Sequence, residues 1–534
     1  MLVVTCMALT ACESATTDSG TQSSEAAASS AEAQPQNPNA QAGVPLPADA
    51  VDNAVAKLDD LVSSMMSSTK IPGLAVAVVQ GSTSKYAKGF GVTDVKTGAK
   101  VDADTVFPLA SLSKPVGSTV IAKEITDGVI AWDTPVSANL PGFTLSDPYV
   151  TQTATVADFY AHRSGLPDHA GDKVEDLGYN RQQVLERLRF IPLQPFRITY
   201  DYTNFGITAA AESVARKAGQ PWDVLSRNAI YTPLGMARTS SSFAEFETRS
   251  NRVVGHVKVG GQWVPTPAQR DPDEQSPAGG VSSSINDMQR WLEMVLANGR
   301  YDGKQLLSPE ALTPAITAQI ISSPSADVDA RPGFYGYGFN TSVTEAGRTQ
   351  ISHSGAFSMG AATNFLAIPS ANVAIVVLSN AAPIGAVEAL TGEFADLVQF
   401  GEVKHQWREL YGAAFEKMSK PSGELSGQKP PSNPVAPQPL PTYEGTYQND
   451  LYGPAVVRQD NGGLVLAMGP DGQKVFRLAP WDGNTFTYSL RNENAELGSV
   501  AKVVFDPAAN TMTIDYYADD VNNGVFTRSA AALN

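Results

Sequence analysis

Apolar and polar residues alternate from about residue 50 onward in the way expected of a folded domain. Residues 51–68 (VDNAVAKLDDLVSSMMSS) carry apolar side chains at helical spacing. Residues 73–81 (GLAVAVVQG) and 84–94 (SKYAKGFGVTD) have the composition of two strands joined through a glycine turn. Residues 111–130 and 288–299 return to helical spacing. The first part of the domain is therefore predicted to be a helix, an antiparallel hairpin and a series of helices.

A second pair of strands is predicted near residue 370. Residues 362–370 (ATNFLAIPS) and 372–380 (NVAIVVLSN) are apolar and β-branched, with a turn between them, and residues 387–400 return to a helical pattern. Strands at both ends with helices between them indicate an α+β fold. We expect an antiparallel sheet flanked by helices, beside a mostly helical region formed by the middle of the chain.

The chain changes character after residue 405. A helix end and a Pro- and Ser-rich linker are predicted over residues 406–441, because the segment KPSGELSGQKPPSNPVAPQPLP favours extended backbone. Residues 442–534 contain short alternating strands separated by Asn-Gly and Asp-Gly turns. These residues are predicted to form a small antiparallel β-barrel domain, which follows an α+β domain at residues 46–405.

The N-terminal residues are predicted to lie outside both domains. Residues 13–45 are rich in Ser, Ala, Thr, Gln and Pro and are predicted to be a disordered tether. Residues 1–12 (MLVVTCMALTAC) form a short apolar run, and its end, Leu9-Thr10-Ala11-Cys12, resembles the lipobox of bacterial lipoproteins. A lipid anchor at Cys12 and a location in the cell envelope are therefore expected. No Lys or Arg precedes the apolar run, so a truncated soluble start remains the alternative.

Charge and cysteine content exclude several classes of function. The net charge of -16 over 534 residues argues against nucleic acid or an anionic membrane surface as a partner. Both cysteines, Cys6 and Cys12, precede the folded part, which leaves no disulfide or thiolate metal site there. The five histidines do not have the spacing of a metal site. Neither a metal nor a cofactor is predicted.

Candidate chemistry begins in residues 107–117, FPLASLSKPVG. If a helix starts here, Ser111 and Lys114 lie on one face with Cβ atoms about 5–6 Å apart. A serine hydroxyl becomes a nucleophile when a neighbour accepts its proton, and a desolvated lysine can do so. By itself, a serine at this position is more often an ordinary helix cap.

Two later segments change that interpretation. Tyr202-Thr203-Asn204 follows about ninety residues after Ser111, and His353-Ser354-Gly355 precedes the second hairpin. The ordered set S-x-x-K, Y-x-N and [KH]-x-G resembles the penicillin-recognising serine hydrolases, which include class C β-lactamases, D-alanyl-D-alanine carboxypeptidases, D-aminopeptidases and esterases. The resemblance extends over roughly residues 50–400, and the C-terminal part resembles the lipocalin-like β-domain appended to some of these enzymes.

The resemblance implies a role for each residue of the motifs. Ser111 would be acylated, Lys114 would accept its proton, and Tyr202 would relay a proton to or from the leaving group. The Tyr202 role would require a pKa lowered by cationic neighbours, for which Lys114 and His353 are the candidates. Asn204 would orient Lys114 and the substrate.

The H-x-G segment would form the edge of the site. His353 occupies the place of the lysine in K-T-G, Ser354 and Gly355 would let the strand approach the substrate, and the N–H groups of Ser111 and Ala356 would form the oxyanion hole. No G-x-S-x-G nucleophile elbow occurs in the chain, which argues against a Ser-His-Asp hydrolase. His162 is expected to be structural.

The function predicted from these residues is hydrolysis of a small amide or ester through an acyl-enzyme, with a D-amino-acid peptide or a carboxylic ester as substrate. The first alternative is an envelope protein that keeps the fold for binding and has lost turnover. A true β-lactamase is a lesser alternative, because His353 removes the permanent cation that would hold a carboxylate. Self-association through the C-terminal domain is a further expectation.

Overall fold

A computed structural model describes residue 37, residues 41–518 and residues 523–529 of the protein. Its α+β architecture, followed by a closed β-barrel, confirms the predicted fold class. Cys12 and most of the predicted tether lie outside the described residues. Among the residues that are described, no helix is both long and apolar enough to cross a membrane.

Fifteen α-helices occur in the described part of the chain. In chain order they are α1 (Ala50–Val55), α2 (Leu58–Thr69), α3 (Ser113–Thr126), α4 (Pro148–Thr153), α5 (Val156–Tyr160), α6 (Asp172–Asp176), α7 (Arg181–Arg187), α8 (Asn204–Ala218), α9 (Trp222–Ser226), α10 (Phe243–Thr248), α11 (Ser276–Gly279), α12 (Ile285–Leu296), α13 (Pro309–Leu312), α14 (Ala386–Phe400) and α15 (Trp407–Met418). The helical pattern at residues 51–68 thus corresponds to two helices, α1 and α2.

The first fourteen strands belong to the α+β part. They are β1 (Gly73–Gln80), β2 (Thr83–Gly91), β3 (Phe107–Pro108), β4 (His256–Val259), β5 (Gln262–Pro265), β6 (Ser282–Ser283), β7 (Arg300–Tyr301), β8 (Lys304–Gln305), β9 (Ile320–Ser323), β10 (Gly333–Tyr335), β11 (Asn340–Val343), β12 (Thr349–Phe357), β13 (Ala361–Ile368) and β14 (Val373–Ser379). Eight of them form one antiparallel sheet in the order β2-β1-β14-β13-β12-β11-β10-β9, and the other six form three two-stranded ribbons.

Strand order explains how distant segments meet. β1 pairs with β14 from Leu74 to Gln80, so the N-terminal and C-terminal parts of the domain join in one sheet, as predicted. Every residue of β13 and β14 is buried, because helices cover both faces. Helices α1, α2 and α14 pack on one face. Trp291 of α12 is fully buried against the other face, where it stacks on Phe339 and meets Phe365 edge to face.

The C-terminal barrel consists of eight consecutive antiparallel strands. They are β15 (Gly445–Asn449), β16 (Gly453–Asp460), β17 (Gly463–Met468), β18 (Lys474–Asp482), β19 (Thr485–Asn492), β20 (Ala495–Asp506), β21 (Thr511–Ala518) and β22 (Asn523–Arg528). The barrel closes where β22 pairs with β15. Aromatic rings fill its interior, and the Tyr443 and Phe505 centroids lie 4.9 Å apart. The interior is a packed core, as expected for eight strands.

Candidate active site

Ser111 lies in a tight turn between β3 and α3. Residues Ala110–Leu112 form a 3-10 turn that leads directly into α3, and Leu109, Ala110 and Leu112 are fully buried. Ala110 has φ +49°, the left-handed conformation that costs a non-glycine residue about 1–3 kcal/mol. Burial of its neighbours holds this turn in place and leaves the Ser111 side chain facing a cavity.

β12 approaches the turn closely at Gly355. A Cβ atom on Gly355 would lie 2.2 Å from the Leu109 carbonyl oxygen and 2.9 Å from the Leu112 nitrogen. The Thr363 hydroxyl, on the neighbouring strand, donates to the same Leu109 oxygen over 2.7 Å. Only glycine therefore fits the third position of the H-x-G segment at this distance.

Lys114 is fully buried and its Nζ lies beside Ser111. Nζ is 2.9 Å from Ser111 Oγ, 2.7 Å from Asn204 Oδ1 and 3.1 Å from the Ala278 carbonyl oxygen. The amide and carbonyl oxygens can only accept, so they use the two N–H bonds of a neutral amine. The remaining lone pair then faces the Ser111 hydroxyl. This geometry allows Lys114 to take the Ser111 proton.

The pKa of Lys114 suits that task. Burial lowers it from 10.5 to about 7, while the negative charge of Asp172 acts in the opposite direction. A group with a pKa near neutrality has a substantial neutral fraction at pH 7, which is what a general base needs.

Tyr202 also faces Ser111. It hydrogen-bonds with the Ser111 side chain, and Lys114 Nζ lies 4.4 Å from the centre of its ring. The expectation that cations lower the pKa of Tyr202 does not agree with the structure. Burial raises this pKa well above 10.0, and the hydrogen bond with Ser111 only partly offsets the rise. Tyr202 is therefore a neutral phenol, able to donate a proton.

His353 is close to Tyr202 but is not a cation. Its Nε2 lies 2.9 Å from the Tyr335 hydroxyl, and its Nδ1 lies 2.6 Å from the Ser354 carbonyl oxygen. Burial and the nearby Lys114 lower its pKa to about 3. His353 is thus neutral and supports the wall behind Tyr202. Ser354 and Ala356, on the opposite face of β12, line the cavity instead.

A second histidine next to Tyr202 is His162. Its Nδ1 accepts a hydrogen bond from the Thr203 backbone N–H over 3.1 Å, and its ring lies between Tyr202 and Tyr335. This hydrogen bond fixes the backbone between Tyr202 and Asn204.

Asp172 and His169 belong to the site although no motif indicated them. Asp172 Oδ2 accepts from Asn204 Nδ2 over 2.8 Å and lies 2.7 Å from His169 Nδ1. Because a carboxylate cannot donate, this contact fixes which end of the Asn204 amide faces Lys114. Burial lowers the pKa of His169, but the hydrogen bond with Asp172 and its charge outweigh that effect, so the pKa is raised overall. A hydrogen-bonded chain leads from half-exposed His169 to Ser111.

Asp172→Asn is expected to move the acid limb of the pH profile. The substitution removes the charge that raises the pKa of Lys114, so this pKa should fall below about 7. The pH at which kcat/KM is half-maximal should decrease together with the pKa of Lys114. The measurement is the pH profile of kcat/KM with a neutral ester as substrate. Asp168→Asn is the matched control, because the Asp168 side chain is 63% exposed. An unchanged acid limb in Asp172→Asn would contradict the electrostatic link.

The cavity beside Ser111 has a volume of about 480 Å³. Its wall contains residues of the α+β domain and also a hairpin of the barrel, the turn Glu493–Asn494 between β19 and β20. Glu493 Oε1 accepts from the Ser358 backbone N–H over 2.7 Å, and Asn494 Nδ2 donates to Asp176 over 2.8 Å. No group of three or more metal-ligand side chains occurs among the residues described.

A serine and a buried lysine three residues apart at the start of a helix, beside strand β12 of an antiparallel sheet, are typical of a class of serine hydrolases. The chain belongs to the Beta-lactamase family, whose family model matches residues 58–399. A second family model, the domain of unknown function DUF3471, matches residues 429–520.

Several curated proteins are similar to this chain. The unguisins hydrolase ungD of Aspergillus violaceofuscus is 25% identical over 72% of this chain and 73% of its own length. Penicillin-binding protein 4 of Amycolatopsis lactamdurans is 28% identical over 71% of this chain and 94% of its own. The D-alanyl-D-alanine-carboxypeptidase/endopeptidase AmpH of Escherichia coli is 23% identical over 61% of this chain and 84% of its own length.

A solved structure shares the fold. The octameric penicillin-binding protein homologue from Pyrococcus abyssi superposes with a TM-score of 0.58 at 18% identity, over 86% of this chain and 98% of that one.

Proposed function

We propose that this protein hydrolyses a small amide or ester through an acyl-enzyme on Ser111. The observation that carries the proposal is the position of Lys114: its Nζ lies 2.9 Å from Ser111 Oγ and within hydrogen-bond distance of two further acceptors, Asn204 Oδ1 and the Ala278 carbonyl oxygen. When the amine is neutral, these two acceptors take its N–H bonds and its lone pair faces Ser111. Retention of this geometry supports an active enzyme over a protein that only binds.

The reaction begins with proton transfer from Ser111 Oγ to Lys114 Nζ. Oγ attacks the substrate carbonyl carbon, and the carbonyl electrons move to oxygen, where the N–H groups of Ser111 and Ala356 stabilise the negative charge. Tyr202 gives its proton to the departing amine or alcohol as the carbon–heteroatom bond breaks, and Lys114 restores it. Water then attacks the acyl-enzyme with the proton transfers reversed, which releases the acid and regenerates Ser111.

The preferred substrates are D-amino-acid peptides or carboxylic esters. A neutral His353 at the position where β-lactamases carry a lysine supports this choice over a β-lactam antibiotic. The names of the relatives, a carboxypeptidase/endopeptidase and a hydrolase, also favour a peptide-like amide. Parallel assays with p-nitrophenyl esters, D-amino-acid amides and nitrocefin test the choice. Hydrolysis of nitrocefin alone would contradict it.

The pH dependence of turnover tests the role of Lys114. Because the neutral amine is the active form and burial lowers its pKa to about 7, kcat/KM should be full above this pH and fall tenfold per unit below it. Burial keeps Tyr202 protonated, so its ionisation should cause no loss up to about pH 10. The measurement is kcat/KM for p-nitrophenyl butyrate, corrected for spontaneous hydrolysis. An acid limb near pH 4–5 would instead indicate a carboxylate as the base.

The proposed location is the cell envelope, with a lipid anchor at Cys12. The support is the lipobox-like Leu9-Thr10-Ala11-Cys12. We expect a palmitate analogue to label the protein in growing cells, and we expect this label to be absent from Cys12→Ser. Equal labelling of both proteins would contradict the anchor.

A further inference from the structure

His169 lies in a loop whose backbone is held against Tyr202. Its φ is +55°, a left-handed conformation that few non-glycine residues adopt and that Asn, Asp and His tolerate best. Its backbone N–H donates to the Tyr202 carbonyl oxygen over 2.8 Å, and the centres of the two rings are 5.9 Å apart. A strained residue that is fixed beside the site points to a function for its own side chain.

The imidazole of His169 contacts a shielded carboxylate and also reaches solvent. Its Nδ1 lies 2.7 Å from Asp172 Oδ2, whereas its Nε2 is 3.9 Å from Asp168 Oδ2, which is beyond hydrogen-bond distance. The Asp172 side chain is only 3% exposed, while that of His169 is 54% exposed and lines the cavity beside Ser111. His169 can therefore exchange a proton with water, although the carboxylate that it contacts is buried.

Asp172 connects His169 to the proposed base. Its Oδ2 also accepts from Asn204 Nδ2 over 2.8 Å, and Asn204 Oδ1 lies 2.7 Å from Lys114 Nζ. A negative charge at this distance favours the protonated amine, which cannot accept the Ser111 proton. An imidazolium on the other side of Asp172 opposes that effect.

We infer that His169 is a positioning residue for Lys114: its imidazolium holds Asp172, which orients the Asn204 amide, and it balances the carboxylate charge that would otherwise favour protonated Lys114. The inference rests on the proposed role of Lys114 as the base of acyl transfer. It adds a second titrating group, coupled to the first through Asp172, at which the site responds to pH.

Three charged groups face His169 and set its protonation. Burial lowers the pKa of His169, and the charge of Lys114 acts in the same direction. The hydrogen bond and the charge of Asp172, together with the charge of Asp168, outweigh both effects and raise this pKa above 6.5.

Two further titratable groups near His169 are neutral. Burial holds the pKa of His162 well below 6.5, and burial holds the pKa of Tyr202 well above 10.0. The charge of His169 near pH 7 therefore depends above all on Asp172. If the charge of Asp172 is removed, burial should leave His169 neutral at this pH.

His169→Asn is expected to move the acid limb of kcat/KM to higher pH by about 0.5–1 pH unit. Asparagine tolerates the left-handed backbone but carries no charge, so the charge of Asp172 acts unopposed and raises the pKa of Lys114. The plateau at high pH, where Lys114 is neutral in both proteins, should stay within a few-fold. The measurement is a pH profile with p-nitrophenyl butyrate. A lower plateau and melting temperature with an unmoved limb would show a merely structural role and overturn the inference.

His405→Asn is the matched control. His405 Nδ1 lies 3.0 Å from Asp396 Oδ2 and its side chain is 35% exposed, so the variant removes a similar histidine–carboxylate contact. His405 is not among the described residues that line the cavity. The acid limb of this variant should match that of the unsubstituted protein. A shift of the same size in His405→Asn and His169→Asn would overturn the inference.

The double variant Asp172→Asn/His169→Asn tests whether the effect passes through Asp172. In Asp172→Asn alone, His169 should already be neutral near pH 7, so its replacement removes no charge. The double variant should therefore have the acid limb of Asp172→Asn. A further upward shift as large as that of His169→Asn in the unsubstituted background would overturn the link through Asp172.

Nuclear magnetic resonance follows the protonation of His169 without turnover. The full-length protein is labelled with carbon-13 at histidine Cε1, and the resonance that is missing from His169→Asn is followed through a pH titration. We expect a pKa above 6.5 that falls below 6.5 in Asp172→Asn. The same pKa in both proteins would overturn the inference. If His169→Asn fails to fold, the comparison with Asp172→Asn still decides, because one of the five histidine resonances must then move.

The two kinds of measurement separate this inference from the proposed function. Failure to acylate Ser111 together with the expected change in the His169 titration would refute only the proposed function. Acylation of Ser111 together with an unchanged His169 titration and an unmoved acid limb would refute only this inference.

Discussion

Ser111→Ala is expected to reduce kcat/KM for ester and amide substrates by about three to six orders of magnitude. The substitution removes the hydroxyl oxygen that lies 2.9 Å from Lys114 Nζ. It leaves the buried turn and its apolar neighbours unchanged, so the melting temperature should stay close to that of the unsubstituted protein. The measurement is steady-state turnover of p-nitrophenyl butyrate and of a D-amino-acid amide.

Ser113→Ala is the matched control for that result. Ser113 is fully buried, and its hydroxyl accepts the Val281 backbone N–H over 2.9 Å. Loss of this acceptor should cost about 1–3 kcal/mol of unfolding free energy and leave turnover within a few-fold of the original. Loss of turnover in Ser113→Ala together with full activity in Ser111→Ala would show that Ser111 is not the nucleophile.

Lys114→Met is expected to lower kcat/KM by about two to four orders of magnitude. Methionine keeps an unbranched apolar chain but has no lone pair able to take the Ser111 proton at neutral pH. The residual activity should also lose the acid limb near pH 7, because the titrating group is gone. A pH profile of the variant on p-nitrophenyl butyrate measures both effects.

The fold should tolerate Lys114→Met with a moderate loss of unfolding free energy. Asn204 Oδ1 and the Ala278 carbonyl oxygen lose their hydrogen-bond donor, which should lower the unfolding free energy by about 1–3 kcal/mol for each of them. The free-energy cost of burying the Lys114 amine disappears, and this partly offsets the loss. Lys123→Met is the control on the same helix, where Lys123 pairs with Asp127 near the surface. A variant at Lys114 that keeps both its rate and its acid limb would rule out this lysine as the base.

The sequence predicted the centre of the site because its chemistry is local. Ser111 and Lys114 are three residues apart at a helix start, so helical geometry alone brings them together. The order of the Tyr202 and His353 segments then indicated the family. The central sheet was also predictable, since β13 and β14 are uninterrupted apolar runs between clear turns.

The remaining features of the site depend on contacts between residues that are far apart in the sequence, which no local sequence pattern predicts. Asp172 is 32 residues from Asn204 in sequence, and Glu493 is 135 residues from Ser358. The histidine spacing excluded a metal site and assigned no other role to His169, yet folding places His169 on the same carboxylate as Asn204. The lowered pKa that the Tyr202 role would require is not found, and His353 is not the cation that was a candidate for lowering it, because both pKa values depend on burial rather than on residue type.

Covalent labelling tests the central claim, an acyl-enzyme on Ser111, most directly. The full-length protein is treated with a fluorophosphonate and analysed by intact mass and peptide mapping. We predict one adduct per chain, located on Ser111 and absent from Ser111→Ala. An adduct on another residue, or turnover of substrate by a protein that never forms the adduct, would contradict the account.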